Sequence, residues 1–594
     1  MLCKGAQKTV GRKIKITWKA PEEHTEQQIL DMFAAEAGHR TQSLGLGNMA
    51  FTAGAFDYFG LEQLIDLNLG KIGSRVRINR GAEIKALVMQ MLNVPYQSLQ
   101  NTSGFMNTVP CAVLLGKGIT PDTLNRGNLS RMLDDVNGFG TEELFVLCAK
   151  QVFEKLGLMP EEVHIDSTSF HYHGRSREEE DSELVLRQGY SRDLHPELMQ
   201  AVSVMITDGR SRIPLWGKNV SGNVSDHKSF LDAVCDSLPA LKEQFAELKY
   251  LVGDSALCTS EILDAAGRKG LLLVTRLPDK TELAQECFAM KDDKKLAPVF
   301  ERQPEGEGLT AGMWCGVRDY KGAKLKLLLV KNEALRQRKE ETVRKRAERE
   351  KAELEAALKK LRTQPCKCRS DAEKAVAALT KKLRLCRIDG IAYEEVKKNA
   401  RRGRPRKGEE PEKIISAVRV TGAVTADEKK VSEAVEGELL YIVATNDTQR
   451  DWTMAELLST YKRQSVIERG WRCCKNPKMM ADSQYLQKPG RIDALLWLME
   501  LALLVYAAME YRVRLIMKEK GLTVTGPDGK HNPRPTGEYL LRTISNLRIS
   551  VVPDSRSGRW RITNLTAEFV SLLSALGYAW ARYYLESTYE CMAA

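Results

Sequence analysis

Val163-His164-Ile165-Asp166, followed by Ser167-Thr168-Ser169-Phe170, is the stretch on which the reading of this chain turns. The short β-branched and apolar run predicts a buried strand. The acid at its end is predicted to sit where that strand reaches the sheet edge. A second stretch has the same form: Tyr250-Leu251-Val252-Gly253-Asp254, followed by Ser255-Ala256-Leu257. Taken singly, either Asp reads as a turn or helix cap. Two such acids at strand ends can instead converge on a hard cation such as magnesium, which takes oxygen ligands and keeps open positions for phosphate.

A third acid turns the pair into a constellation. The stretch YKRQSVIERGWRCCK runs from Tyr461 to Lys475. At helical period Tyr461, Gln464 or Ser465, Glu468, Arg472 and Lys475 fall on one face, with Ile467, Trp471 and Cys474 beside or behind them as anchors. A carboxylate flanked by an aromatic hydroxyl and cations suits a metal-bound phosphodiester. The acid holds metal, the cations meet phosphate oxygens, and the ring stacks on a base. A single stretch of this kind is more often a solvated charged face; the two acids on strands tip the balance. Between those acids lie apolar runs at Leu198–Ile206 and Ile213–Val220 and a helical pattern over Phe230–Leu248. The strand ending in Asp254 follows, then a helix near Ser260–Lys269 and a strand at Leu271–Thr275. Strand, strand, strand, helix, strand, with acids on the first and fourth strands, is the order of an α/β, ribonuclease-H-like core.

At these residues the chain resembles an insertion-sequence transposase of the DDE class, in the branch with a β-rich insertion before the last acid. The resemblance runs from about Leu44 to the C-terminus. It rests on DSTSFHYHG from Asp166, GYSRDLHPELMQ from Gly189, IPLWGKNVSGNVSDHKSF from Ile213, LVGDSALCTSEIL from Leu251, LLVTRLP from Leu272 and YIVATND from Tyr441, together with the Tyr–Glu–Lys helix and the block after it. The signature of that branch is Tyr, Arg three residues on, Glu four further and Lys seven further. Tyr461, Glu468 and Lys475 match, and Gln464 stands at the Arg position. Arg463 points about 100° away on an ideal helix, and Arg472 lies one turn past Glu468; either is a substitute.

The resemblance implies a ribonuclease-H-like mixed-sheet catalytic core with a β-rich plus helical-hairpin insertion and a helical N-terminal domain for end recognition. It implies a DNA transposase that binds the ends of its element, cuts them through a DNA hairpin and joins them to target DNA. Two Mg2+ ions, with Mn2+ as a substitute, are expected on Asp166, Asp254 and Glu468, Asp166 bridging both. Double-stranded DNA is expected to meet Tyr461, Lys475, Arg472 and Arg463, and a homodimer to hold two ends together. Two other classes stay open: an inactive transposase-derived DNA-binding protein, against which the three acids argue, and a purely hydrolytic ribonuclease-H-like nuclease, against which the insertion argues.

The remaining sequence sets the organisation. A length of 594 residues is too great for one domain. Expected boundaries are 1–43 for an extension, 44–158 for the helical N-terminal DNA-binding domain, 159–278 with 438–515 for the catalytic core, 279–437 for the insertion and 516–594 for a C-terminal helical region. The net charge of +12 favours an anionic partner. The 13 cysteines, an odd number with no signal-peptide pattern, predict reduced thiols in a cytoplasm; the resemblance implies a nucleoid-associated, prokaryotic protein. Leu495–Met509 is apolar but carries Glu500, and reads as a core helix with no membrane partner. Within the insertion, Lys331–Lys398 reads as two antiparallel helices broken near Thr363–Ser370. His171 and His173 read as hydrogen-bonding residues, Asp193 and Asp226 as turn residues, and Trp452 and Trp471 as lesser aromatic candidates beside Tyr461.

The segment Arg401-Arg402-Gly403-Arg404-Pro405-Arg406-Lys407 reads either as a minor-groove hook or as a basic linker, with phosphate contact expected in both cases. Replacing Arg402, Arg404 and Arg406 together by Ala is expected to flatten the slope of log K against log salt by about one unit per lost phosphate contact. Titrations of duplex DNA at several salt concentrations measure this, and an unchanged slope assigns the segment to linkage alone.

Overall fold

The computed structural model describes residues 43–70, 78–93, 99–172, 184–190, 195–300, 309–400, 413–463, 486–526, 528–554 and 559–590. The N-terminal part is helical: α1 (Gly47–Tyr58), α2 (Leu61–Leu69), α3 (Arg80–Met91), α4 (Arg126–Phe139) and α5 (Thr141–Leu156). It is joined to the far end of the chain. Leu44 and Gly45 pair antiparallel with Val551 and Ser550. The buried Lys85 ammonium reaches Asp57 at 2.6 Å, Glu62 at 3.0 Å and the Tyr583 hydroxyl at 3.2 Å. A fully buried ammonium is tolerable only with such partners.

The centre is a mixed sheet. Its first strands are β1 (Glu162–Tyr172), β2 (Met199–Asp208) and β3 (Pro214–Ser221), an antiparallel meander. The expected helix over Phe230–Leu248 is a run that starts earlier and ends sooner. It comprises α6 (Asp226–Asp232), a π-turn at Ala233–Ser237 and α7 (Leu238–Gln244), whose Pro239 falls in the first turn where a missing N–H costs nothing. Then come β4 (Tyr250–Val252), α8 (Ser260–Arg268) and β5 (Leu272–Arg276). β4 runs parallel to both β1 and β5.

The insertion extends this same sheet. After α9 (Glu282–Ala289), β6 (Ala297–Pro298), β7 (Thr310–Tyr320) and β8 (Ala323–Asn332) are followed by α10 (Arg336–Thr363) and α11 (Arg369–Thr380). The helical reading of the charged segment stops there. Residues expected to stay helical to Lys398 instead form β9 (Cys386–Asn399), paired antiparallel with β10 (Lys413–Ala426) in a separate ribbon. The reason is local: Ile388, Ile391, Tyr393 and Val396 favour strand, and the Cys386 end of the ribbon packs on α10 and α11 through Leu354, Leu358, Val376, Val418 and Val420. The chain returns through α12 (Glu428–Glu438) to β11 (Leu440–Thr445), which bridges β5 and β8. The sheet order among the described residues is β3-β2-β1-β4-β5-β11-β8-β7-β6.

Two layers cover the sheet. On one face α13 (Met454–Lys462), started by a capping box between Thr453 and Glu456, packs Leu457 and Leu458 on Val252, Val274 and Val443. The other face belongs to the main core, which includes α14 (Pro489–Lys520). By length and composition α14 could cross a membrane, but 83% of its most apolar window is buried inside the protein. It is a core helix, and it carries a carboxylate into that core. Glu500 accepts a hydrogen bond from Ser203 on β2 and lies against Gly217 on β3, where a Cβ would come within 2.7 Å of its Oε2. Burial pushes the Glu500 carboxyl up to about 8, with Asp493 adding to the shift.

Native Glu500 therefore holds its proton between about pH 4.5 and 8, where the unfolded chain releases it. Its contribution to stability is complete at low pH and is lost as pH rises through that window. Glu500→Gln, which stays neutral, is expected to flatten the pH dependence of the melting temperature over this range and to raise it at pH 8. Equal slopes for variant and wild type would mean that Glu500 is already ionised in the fold.

Candidate active site

Strand register brings the two strand acids together. The parallel pairs between β1 and β4 are Glu162 with Tyr250, Val163 with Leu251 and His164 with Val252. Two residues further along each chain stand Asp166, still paired with β2, and Asp254, which lies past the end of β4 at the start of the following turn; the same register carried two residues past Val252 sets the two acids level. Neighbouring strands lie about 4.8 Å apart, so carboxylates at one level can share a cation. Asp166 does not end its strand as the sequence suggested. Ser167 to Tyr172 stay paired with β2, because Thr168, Phe170 and Tyr172 suit a pleated strand as well as Val163 does. It is the short partner β4 that stops, at Val252. Asp166 is half-buried at the notch so formed.

Asp254 caps the 3-10 turn Ser255–Leu257, accepting the Ala256 N–H at 2.9 Å. The Asp254 carbonyl accepts from Thr275 Oγ1 at 2.6 Å, which holds the turn to β5. Gly253 is closely covered: a Cβ there would meet Leu257 at 2.5 Å and Ile165 at 3.1 Å, so any larger residue requires those side chains to shift.

The C-terminal end of α13 lies over the same face. The half-buried Tyr461 packs its ring 6.3 Å from that of Tyr441. Burial pushes its hydroxyl up to about 12; Arg276 opposes this, and Asp254 and Asp279 add to it. The Tyr461 hydroxyl thus stands within electrostatic reach of the second acid. Arg463, one of the two expected substitutes at the signature position, is engaged elsewhere. Its Nε and Nη2 donate to both oxygens of the buried Glu162 at 2.6 Å each. His164 Nε2 lies 3.4 Å from Glu162 Oε1. Burial alone would raise the Glu162 carboxyl, but His164 and Arg463 hold it below the usual carboxylate range. Glu162, His164 and Asp166 alternate onto one face of β1, so this ion pair docks the end of α13 two pleats from Asp166.

Other expectations resolve individually. Trp452 is buried, with Arg450 over its ring at 4.0 Å and Tyr250 edge-on at 5.5 Å, an anchor and not a surface for a base. Asp226 starts α6 and accepts from Ser167 Oγ at 2.6 Å. His171 stacks edge-on with His195 at 5.8 Å. Glu468, Gln464, Arg472, Lys475, Trp471, His173, Asp193 and the segment with Arg402, Arg404 and Arg406 lie outside the described residues. Glu162 and Glu500 were not singled out in sequence. Their partners, Arg463 and Ser203, lie 301 and 297 residues away, and the only local sign is an acid inside an apolar run.

Two carboxylates, one on β1 and one in the turn just past its parallel neighbour β4, make an all-oxygen candidate site for a hard cation of the kind used in phosphodiester chemistry. Comparison with known proteins places it in a family. The Transposase DDE domain model matches residues 158–505, more than half of the chain, and the chain belongs to that family. A domain of unknown function matches residues 41–150. No curated protein matches. Among solved structures, the chain is similar to a piggyBac transposase in a cryo-EM synaptic complex with hairpin DNA, at 10% identity and a TM-score of 0.34, covering 83% of this chain and 78% of that one. Overlap of that quality supports no argument about fold or function.

Arg463→Ala is expected to destabilise the fold by about 2 kcal/mol, the cost of stranding a buried acid reduced for a guanidinium that is partly exposed. Urea unfolding measures it, and Glu162→Gln in the same chain should recover most of the loss. A fold indifferent to Arg463→Ala would show that the pair does not dock α13.

Proposed function

We propose that this chain is a DNA transposase whose ribonuclease-H-like core cuts the ends of its element and joins them to target DNA. The single observation that carries the reading is the parallel register of β1 and β4, at whose ends Asp166 and Asp254 follow, inside a chain that belongs to the DDE transposase family. Asp166, Asp254 and Glu468 would hold two Mg2+ ions, which when bound supply an activated water or 3′-hydroxyl and stabilise the leaving oxygen. Around them the chain's own residues set the geometry. Thr275 fixes the Asp254 turn, and Arg463 pins the end of the helix that leads toward Glu468. Tyr461 borders Asp254 with an apolar ring suited to an unstacked base, which fits passage through a DNA hairpin. Lys475 and Arg472 are the phosphate contacts of this reading, the N-terminal helices recognise the element ends, and a homodimer synapses the two ends.

Asp166→Ala, Asp254→Ala and Glu468→Ala are each expected to abolish Mg2+-dependent cleavage of a labelled end duplex, by roughly 1,000-fold or more, while end binding in a gel-shift assay stays within about threefold because the acids hold metal and not DNA. The duplex is the terminal repeat flanking the gene. Cleavage retained by any one variant removes that residue from the site. Binding without cleavage by the wild type would favour a DNA-binding protein, and cleavage without strand transfer a nuclease.

A further inference from the structure

The register that aligns the two acids continues one strand further. β4 pairs with β5 through Tyr250 with Leu272, Leu251 with Leu273 and Val252 with Val274. Past the last pair the two segments stay joined, the Gly253 N–H donating to the Val274 carbonyl and Thr275 Oγ1 to the Asp254 carbonyl; the register carried on through these bonds sets Asp254 level with Arg276. Asp254 and Arg276 also both act on the Tyr461 hydroxyl, which places acid and cation together at this edge of the sheet. Alternation puts Arg276 on the face of Leu272 and Val274, the face covered by α13. Thr275, the residue before it, donates to the Asp254 carbonyl and ties the two segments together.

The guanidinium is positioned but not consumed. It lies 5.5 Å from the centroid of the Tyr441 ring, whose other neighbour is Tyr461. One nitrogen pairs with Asp279 three residues on, in an ion pair whose side chains are 36% and 48% exposed. An exposed pair of this kind contributes little and exchanges readily, whereas a phosphate offers a guanidinium a bidentate partner. Arg463, by contrast, is committed to Glu162.

We propose that Arg276 is a phosphate-binding residue of the catalytic edge, receiving the DNA backbone next to the scissile position in exchange for Asp279. The inference rests on the phosphodiester-cleaving reading of the site.

The test uses the full-length protein and the terminal-repeat duplex, with wild type, Arg276→Ala, Arg276→Lys, Asp279→Asn and Asp254→Ala. Arg276→Ala is expected to weaken DNA binding and cleavage by roughly 10- to 100-fold, the scale of one lost charge-assisted hydrogen-bond pair. It should also lower the salt slope of binding by about one unit, which a merely structural defect would not do. Arg276→Lys should keep the slope but recover cleavage only in part, since an ammonium binds phosphate as a point charge. Asp279→Asn should bind DNA at least as tightly as wild type. If Arg276→Ala does not fold, Arg276→Lys and Asp279→Asn decide: wild-type cleavage by the first and weakened binding by the second overturn the inference. Wild-type affinity, slope and cleavage in a folded Arg276→Ala protein, alongside an inactive Asp254→Ala, overturn this inference alone. A wild type that never cleaves overturns the reading of the site as well.

Discussion

Parallel hydrogen bonding of β4 between β1 and β5 sets the level of every group at the candidate site. β4 is only three residues long, yet its pairs fix Glu162 beside Tyr250 and Tyr250 beside Leu272. Because side chains alternate with period two, a slip of one residue would carry Asp166 to the opposite face and separate it from Asp254. The strand's shortness matters as much as its register. Where β4 stops, backbone groups turn into the capped loop at Asp254, and the longer β1 runs on past it. That leaves a notch in an otherwise continuous sheet, where carboxylates can meet solvent and ligand without unpairing the strand that bears them.

Burial of charge on both faces then locks the surrounding layers to this register. On one face Glu162 is sunk beside His164 and must be answered; Arg463 answers it from the end of α13 with a bidentate pair. A buried acid without a partner costs more than the pair gains, so the contact selects one docking of the helix over alternatives that apolar packing alone would allow. On the other face Glu500 enters the core without a cation. It is held neutral by burial, bonded to Ser203, and seated where Gly217 leaves room. The two acids show two solutions to one desolvation problem, ionisation with a partner and protonation without one.

The insertion is less separate than its sequence position suggests. β8 pairs with β11, and β11 with β5, so strands from the insertion widen the catalytic sheet. The charged helices and the β9–β10 ribbon have small cores of their own. At their base Lys331, Glu333, Arg336 and Glu436 form an ion-pair network.

The sequence by itself determined the order of strands and helices around the two acids, the helical N-terminal region and the burial of the apolar helix carrying Glu500. Each follows from local apolar periodicity and from punctuation by Gly, Pro and capping residues, which a chain carries without reference to distant partners. It also singled out Asp166 and Asp254 as acids at the ends of apolar runs, and Tyr461 by its helical spacing to Glu468 and Lys475. Only the tertiary structure decided that β1 continues past Asp166, that residues 386–399 are strand, and that Arg463 answers Glu162. It alone brought Arg276 and Asp254 together around the Tyr461 hydroxyl. Strand continuation depends on what lies alongside, and register is a relation between segments far apart in the chain. A guanidinium's role depends on which carboxylate reaches it first. None of these is a property of a local window of sequence, and all of them follow once hydrogen bonds between strands have fixed which residues stand abreast.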